Sequence, residues 1–174
     1  MGTKLKIWKQ GPFYPNLGKK IIELPYNVSP GPADLRVSVD DASAPIDPLG
    51  NFLDFPYTSE QLDAIHTFGV MRSLIDIYDD LAGTLIVWPW NTEKYTSPLK
   101  AIITQDGINA CYLADKHTIL LENFYQGQEK IYQCQSTDTV IHETAHAILD
   151  SLKPHWRKGD PLTKGFTESF ADLA

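Results

Sequence analysis

The distribution of proline places the strongest constraint on how this chain can fold. Eight of its 12 prolines fall within the first 56 residues. Proline lacks a backbone N–H and its ring clashes with the preceding helical turn, so this density excludes a long helix from that part. We therefore expect residues 1–56 to be extended chain and turns, with short strands at 20–24 and 35–39.

The pattern of apolar residues changes after residue 57. Thr58 and Gln61 have the spacing of a capping box, and apolar residues then recur every three or four positions. Gly83 is typical of a helix end. The segments that follow are rich in Ile, Leu, Val, Tyr and Thr, which predicts strands at 84–88, 99–104, 108–114 and 117–123.

Two further helices are predicted in the last 40 residues. The first begins near Ser136 or Thr137, has an amphipathic pattern and ends before Pro154. The second begins near Thr163 and continues to the end of the sequence. The order of elements predicts an α+β fold, in which an N-terminal sheet with an antiparallel edge hairpin packs on the first amphipathic helix.

Size and charge narrow the class of protein. The 174 residues, 43% of them apolar, are predicted to form one domain, residues 1–174. The net charge is −7 and the 15 lysines and arginines form no basic stretch, so we expect no nucleic-acid partner.

No apolar run reaches the roughly 18 residues of a membrane span, and no signal peptide is visible, which favours a cytoplasmic over an exported protein. Two cysteines are too few for a disulfide scaffold, so free thiols are favoured.

The segment His142-Glu143-Thr144-Ala145-His146 contains the most specific motif of the chain. It has the form H-E-x-x-H and lies within a predicted helix. The two histidines are four residues apart, so both imidazoles lie on one helix face and can bind a single Zn²⁺. In such motifs the glutamate takes a proton from the metal-bound water. We therefore predict one catalytic zinc ion, with His142 and His146 as ligands and Glu143 as the base.

A catalytic zinc site also needs a third protein ligand and an open fourth position. Leu149 and Leu152 stand where a metzincin has glycine and histidine, which excludes that arrangement. His155 follows the predicted helix end and reaches the metal only if the chain turns back. A ligand on the next helix is therefore the stronger choice.

Glu168 is that ligand in our prediction. It lies 22 positions after His146, on the last predicted helix. Asp172 follows four residues later, so the same helix face presents a second carboxylate. We expect Asp172 to hydrogen-bond the remaining nitrogen of a ligating histidine, which fixes the tautomer of that ring.

H-E-x-x-H followed by a glutamate in E-x-x-x-D resembles the gluzincin metallopeptidases, specifically the thermolysin-like group. The segment 109–112, Asn-Ala-Cys-Tyr, is similar to the Asn-Ala-aromatic-aromatic motif on that family's edge strand, although a cysteine replaces the first aromatic. The resemblance covers residues 57–174 and implies a zincin-like core that resembles the N-terminal lobe of thermolysin. It also implies a peptide or protein substrate, paired with the edge strand and contacted by Asn109, Ala110, Cys111 and Tyr112.

The sequence departs from that family in two respects. Thermolysin-like enzymes continue with a helical lobe that forms the other wall of the cleft, and the 174 residues contain no such lobe. The family's tyrosine, which donates to the oxyanion, has no counterpart, since residues 147–167 contain no tyrosine; His155 is the candidate donor there. We therefore favour the catalytic half of a longer protease, whose missing C-terminal lobe is the expected partner.

The sequence thus predicts a zinc-dependent endopeptidase that hydrolyses peptide bonds by attack of a zinc-bound water, assisted by Glu143. The alternative is a non-catalytic or weakly active zinc-binding fragment or interaction domain derived from a longer metallopeptidase. Loss of one oxyanion donor in other enzymes lowers turnover by about 100- to 1000-fold, which keeps the alternative open.

Overall fold

The computed structural model describes residues 2–14, 16–40, 43–91, 96–105 and 107–174. The fold is α+β, as predicted from the sequence. The helices within these ranges are α1 (Ser59–Ala82), α2 (Thr137–Leu152) and α3 (Pro161–Leu173). The strands are β1 (Thr3–Trp8), β2 (Lys19–Leu24), β3 (Val37–Val39), β4 (Leu99–Thr104), β5 (Ala110–Leu113), β6 (Thr118–Glu122), β7 (Phe124–Gln126) and β8 (Glu129–Ile131). No described helix has the length and apolar composition needed to cross a bilayer.

Helix α1 begins and ends at the residues that the sequence indicates. The Thr58 side chain accepts a hydrogen bond from the Gln61 N–H, and the Gln61 side chain accepts one from the Thr58 N–H, which confirms the capping box. Gly83 ends the helix in the left-handed conformation, with a φ of 66°. Both ends are therefore determined by local hydrogen bonds.

Helix α1 is more enclosed than its amphipathic pattern predicts. Every residue from Asp63 to Arg72 is buried. The helix contacts α2 on one side, and β1 and β3 on others, so polar residues on several of its faces lie in the interior. The largest buried side chains of the core, Trp88, Phe52 and Phe68, are less than 2% exposed.

The main sheet has four strands in the order β3-β4-β6-β5. β3 pairs with β4 and β4 with β6 in parallel, whereas β5 and β6 are antiparallel. The predicted antiparallel edge hairpin is thus formed by β5 and β6, and β5 is the last strand of the sheet. One side of β5 remains without a strand partner among the described residues.

The strand predicted at residues 84–88 is wrong. This segment has no strand pairing, and its polar groups bond to side chains and to a distant carbonyl. The Ile86 N–H donates to Oδ1 of Asp79 at 2.7 Å, and the Trp88 indole N–H donates to the Arg36 carbonyl at 2.9 Å. The Ile86 carbonyl also accepts from the Arg36 guanidinium at 2.5 Å, so both backbone groups of Ile86 are satisfied without a ladder and the β propensity of the segment does not produce a strand.

The N-terminal part packs against α1 through strands and buried charges. β1, which the sequence analysis missed, pairs antiparallel with β2 and contacts α1. Arg72 of α1 is 5% exposed and lies 2.8 Å from Oδ2 of Asp34 and 3.0 Å from Oδ1 of Asp76. A carboxylate from residues 1–56 is therefore paired with a buried cation of the helix.

The buried His66 of α1 is expected to make the free energy of unfolding depend on pH. It is 1% exposed, its Nδ1 accepts a hydrogen bond from the Trp8 N–H, and burial lowers its pKa to about 3. The unfolded chain, with a histidine pKa near 6.5, binds the proton first as the pH falls, so stability is lost below pH 6.5. We expect this residue to reduce the free energy of unfolding by about 2 kcal/mol between pH 6.5 and 5.

Urea unfolding at pH 6.5 and pH 5, with EDTA present, measures this loss. His66→Asn is the matched comparison, because its amide oxygen can accept the same hydrogen bond and does not titrate. All other titrating groups are shared by the two proteins. An equal pH dependence in both would contradict the assignment to His66.

Candidate metal centre

Helices α2 and α3 supply the centre, and the chain between them turns sharply. Ser136 caps α2 by accepting a hydrogen bond from the Thr139 N–H. α2 ends at Leu152, before Pro154, as predicted. α3 begins at Pro161, two residues earlier than expected, because the Asp160 side chain accepts from the Thr163 N–H. The turn returns α3 against α2, and the two helices are in contact.

Three side chains from these helices converge on one point. Nε2 of His142 lies 3.1 Å from Nε2 of His146. Oε2 of Glu168 lies 3.5 Å from each of these two nitrogens. The four-residue spacing of the histidines accounts for the first distance, and the packing of α3 on α2 accounts for the other two.

These distances fit a tetrahedral metal site. Zinc bonds of about 2.0 to 2.1 Å at tetrahedral angles hold neighbouring ligand atoms about 3.3 Å apart, close to the distances between these three atoms. Two imidazoles and one carboxylate are also a donor set found around catalytic zinc. Burial lowers the pKa of His146, which favours the neutral ring that a metal requires. The residues present therefore fit a zinc ion with one open position.

Asp172 contacts the other nitrogen of one of these histidines. Its Oδ1 lies 3.0 Å from Nδ1 of His142. A carboxylate oxygen at this distance favours the tautomer with the proton on Nδ1, which leaves the lone pair of Nε2 available to a metal. The side chain of Asp172 is 72% exposed and that of Glu168 is 64% exposed, so the centre is open on the α3 side.

Glu143 lies beside the centre and is 7% exposed. Burial raises the pKa of its carboxyl, and the nearby His142 and a hydrogen bond from the Tyr112 N–H oppose that rise. The hydrogen bond links the carboxylate to β5 and holds it between the strand and the helix. A buried carboxylate with a raised pKa is suited to accept and return a proton.

Two cavities open on either side of the centre, and Ala110, His142 and Glu143 line both. The first cavity, of about 740 Å³, is bordered by β5, the end of α2 and the start of α3. The second cavity, of about 570 Å³, is bordered by the residues before β5, the start of α2 and the end of α3. Together they form a cleft along the free edge of β5.

The residues predicted as substrate contacts all border this cleft. Asn109 is exposed and lines the second cavity, while Cys111 and Tyr112 line the first. Burial raises the pKa of the Cys111 thiol, so this side chain is a neutral part of the wall. Both cysteines are free thiols. The hydroxyl of Tyr112 donates to Oδ2 of Asp150 at 3.1 Å, a contact that the sequence did not predict.

His155, the predicted oxyanion donor, is not brought to the centre. It is exposed and lines neither of the two cavities described above. Residues that the sequence analysis missed do line the first cavity, including Asp150, Lys153 and Lys164. Asp150 is four residues after His146, and Lys164 is four before Glu168. The same helical spacing that identified the ligands could therefore have found these two.

Comparisons of the sequence with protein-family models and with curated proteins identify no relative. No protein-family model matches the sequence, and no curated protein gives a significant match. A functional interpretation therefore depends on the motif and on the geometry of the centre.

Proposed function

We propose that this chain is a zinc-dependent endopeptidase with a core similar to the N-terminal lobe of thermolysin. One observation carries the proposal. Nε2 of His142, Nε2 of His146 and Oε2 of Glu168 lie 3.1 to 3.5 Å apart, with the buried carboxyl of Glu143 beside them. A ligand triad next to a base suits hydrolysis at zinc, and the free edge of a strand beside it suits an extended peptide.

His142, His146 and Glu168 would hold the ion. Zinc, when bound, supplies a Lewis acid that lowers the pKa of a water in the open position to about 7. Glu143 would accept a proton from the attacking water on its carboxylate and would return it to the nitrogen of the leaving amine. Burial raises the pKa of this carboxyl, which favours its acceptance of the proton. Asp172 keeps the ring of His142 in the tautomer that can bind a metal.

The substrate in this proposal is an extended peptide. β5 is the last strand of its sheet, and its free edge borders the cleft that the two cavities form. A peptide that adds as a further strand is recognised mainly through its backbone, which permits many sequences. Asn109 and Ala110 would contact the backbone near the cleaved bond.

The second candidate is a zinc-binding interaction module with little or no activity. It is favoured by the exposure of the Glu168 and Asp172 side chains, 64% and 72%, which leaves the centre open on one side. Catalysis at zinc benefits from a site from which bulk water is excluded. The two candidates share the metal and differ in hydrolysis.

Metal content and peptide cleavage, measured together, test the proposal. We expect one equivalent of zinc in protein purified without added metal, and cleavage of an internally quenched peptide library that stops with a chelator and returns with zinc. Glu168→Ala should lose the metal, whereas Glu129→Ala, at an exposed position on β8, should keep it. Absence of zinc uptake on titration would remove both candidates, and zinc without cleavage would favour the interaction module.

Asp172→Ala is expected to weaken zinc binding without abolishing it. Removing the carboxylate next to Nδ1 frees the His142 ring and lowers its basicity, which in comparable sites costs about 10- to 100-fold in metal affinity. Competition with a coloured chelator measures the change. Asp172→Asn, which retains an acceptor oxygen, should lose less, and Asp80→Ala on α1 should lose nothing. Unchanged affinity in Asp172→Ala would show that the contact is incidental.

A further inference from the structure

The cleft differs in charge on the two sides of the metal centre. The first cavity is lined by lysines from three elements: Lys116 after β5, Lys153 at the end of α2 and Lys164 on α3. The second cavity is lined by Asp138 and Asp172 and, among the described residues, by no lysine or arginine. Carboxylates line both cavities, namely Asp115, Glu143, Asp150 and Glu168 in the first and Asp138, Glu143 and Asp172 in the second. Only the first cavity has lysines to balance them, so the electrostatic potential becomes more negative from the first cavity to the second.

The lysines of the first cavity are available to a ligand. Within the described part of the chain, no carboxylate oxygen lies within 4.0 Å of the Nζ atom of Lys116, Lys153 or Lys164. Four carboxylates line the same cavity, and each has an interaction of its own: Asp150 accepts from the Tyr112 hydroxyl, Glu168 faces the two imidazoles, Glu143 accepts from the Tyr112 N–H, and Asp115 is also not free. The ammonium groups are therefore the unpaired charges that a bound molecule meets.

Lys153 is also oriented by a neighbouring ring. Its Nζ lies 6.0 Å from the centroid of the Trp156 ring, and Trp156 packs edge-on against Phe166 at 5.1 Å. Such a cation–π contact favours one direction of the long side chain. Lys153 therefore lies along the wall of the first cavity beside an aromatic surface.

The direction of β5 assigns each cavity to one part of a peptide. The strand runs from the second cavity, which Asn109 borders, to the first cavity, which Leu113 and Lys116 border. A peptide that pairs antiparallel with β5 runs in the opposite direction. Residues before the cleaved bond then lie in the first cavity, and residues after it lie in the second.

We propose that the cleft selects peptides with an acidic side chain on the N-terminal side of the cleaved bond. The inference rests on the proposed function, because it needs a peptide bound along β5. A carboxylate entering the first cavity meets the ammonium groups of lysines from three separate elements. Each exposed pair contributes little by itself, but three converging charges discriminate together between an acidic and a basic side chain.

Two quenched peptides test the charge preference. They share one sequence and carry either glutamate or lysine at each of the three positions before the cleaved bond. We expect kcat/KM to be about 10-fold higher for the acidic peptide, a difference that salt should reduce. Combining Lys116→Glu, Lys153→Glu and Lys164→Glu should reverse the order. Lys158→Glu, at an exposed position outside both cavities, should leave it unchanged.

Binding provides a second measurement that does not depend on turnover. Fluorescence anisotropy of the same two peptides with Glu143→Gln protein, loaded with zinc, should show tighter binding of the acidic one at low salt. Equal affinity for both peptides, or tighter binding of the lysine peptide, would overturn the charge preference. Tighter acidic binding without any cleavage by the unmutated protein would support the charge preference and contradict the proposed endopeptidase.

Discussion

Replacing Glu143 with glutamine is expected to lower kcat for peptide cleavage by about 100- to 10,000-fold, the range for loss of a general acid–base group. Glutamine has nearly the same shape and can still accept the Tyr112 N–H, but it cannot take or return a proton. None of the three converging ligand atoms belongs to Glu143. Zinc content should therefore stay at one equivalent. Single-turnover cleavage and metal analysis of the same sample measure both quantities.

Glu129→Gln on β8 is the control for this substitution, because it makes the same chemical change at an exposed residue that lines neither of the two cavities. It should cleave at the rate of the unmutated protein. If Glu143→Gln retains full cleavage with one zinc bound, the assignment of the base is wrong. If Glu143→Gln loses zinc as well as activity, the Glu143 side chain serves to hold the metal or to stabilise the fold.

The second large effect concerns stability. Arg72→Met should lower the free energy of unfolding by about 3 to 5 kcal/mol, because it leaves the carboxylates of Asp34 and Asp76 without their buried cation. The Asp34 side chain is 11% exposed, so water cannot fully replace the lost partner. Tyr26, whose ring lies 4.6 Å from the guanidinium, loses a cation–π contact in the same change.

Urea unfolding of Arg72→Met and Lys6→Met compares a buried with an exposed ion pair. Lys6 lies 3.1 Å from Asp54, and both side chains are largely exposed, so its loss should cost about 1 kcal/mol or less. Each substitution removes a cation that pairs with a carboxylate of residues 1–56, Asp34 in the case of Arg72 and Asp54 in the case of Lys6. Equal effects would mean that the buried network contributes no more than a surface pair to holding that part on α1.

Helices were well predicted because their signals are local. The capping box at Thr58, the cap at Ser136 and the left-handed Gly83 are read from residues that contact each other within one turn. β4 coincides with its prediction for a related reason, since five of its six residues are apolar or β-branched and Lys100 alone interrupts them. The start of α3 was misplaced because the cap formed by Asp160 before Pro161 was overlooked.

Strands were predicted less well because their pairing depends on distant residues. β1 was missed, although alternate residues from Thr3 to Ile7 are buried. The short hairpin of β7 and β8 was also missed, and residues 84–88 were given a strand that does not form. In the last case the polar groups bond to Asp79 and Arg36, partners that no local pattern reveals.

For the candidate site, the sequence by itself determined the pair His142 and His146 and the adjacent Glu143, because four-residue helical spacing fixes how two side chains on one helix face each other. Only the tertiary structure decided that α3 returns with Glu168 3.5 Å from both imidazoles, and that β5 is an edge strand beside them. It also excluded His155 from the two cavities and brought three lysines to one of them. The physical reason is that helical periodicity is set by neighbouring residues, whereas the meeting of separate elements depends on how the whole chain buries its apolar surface.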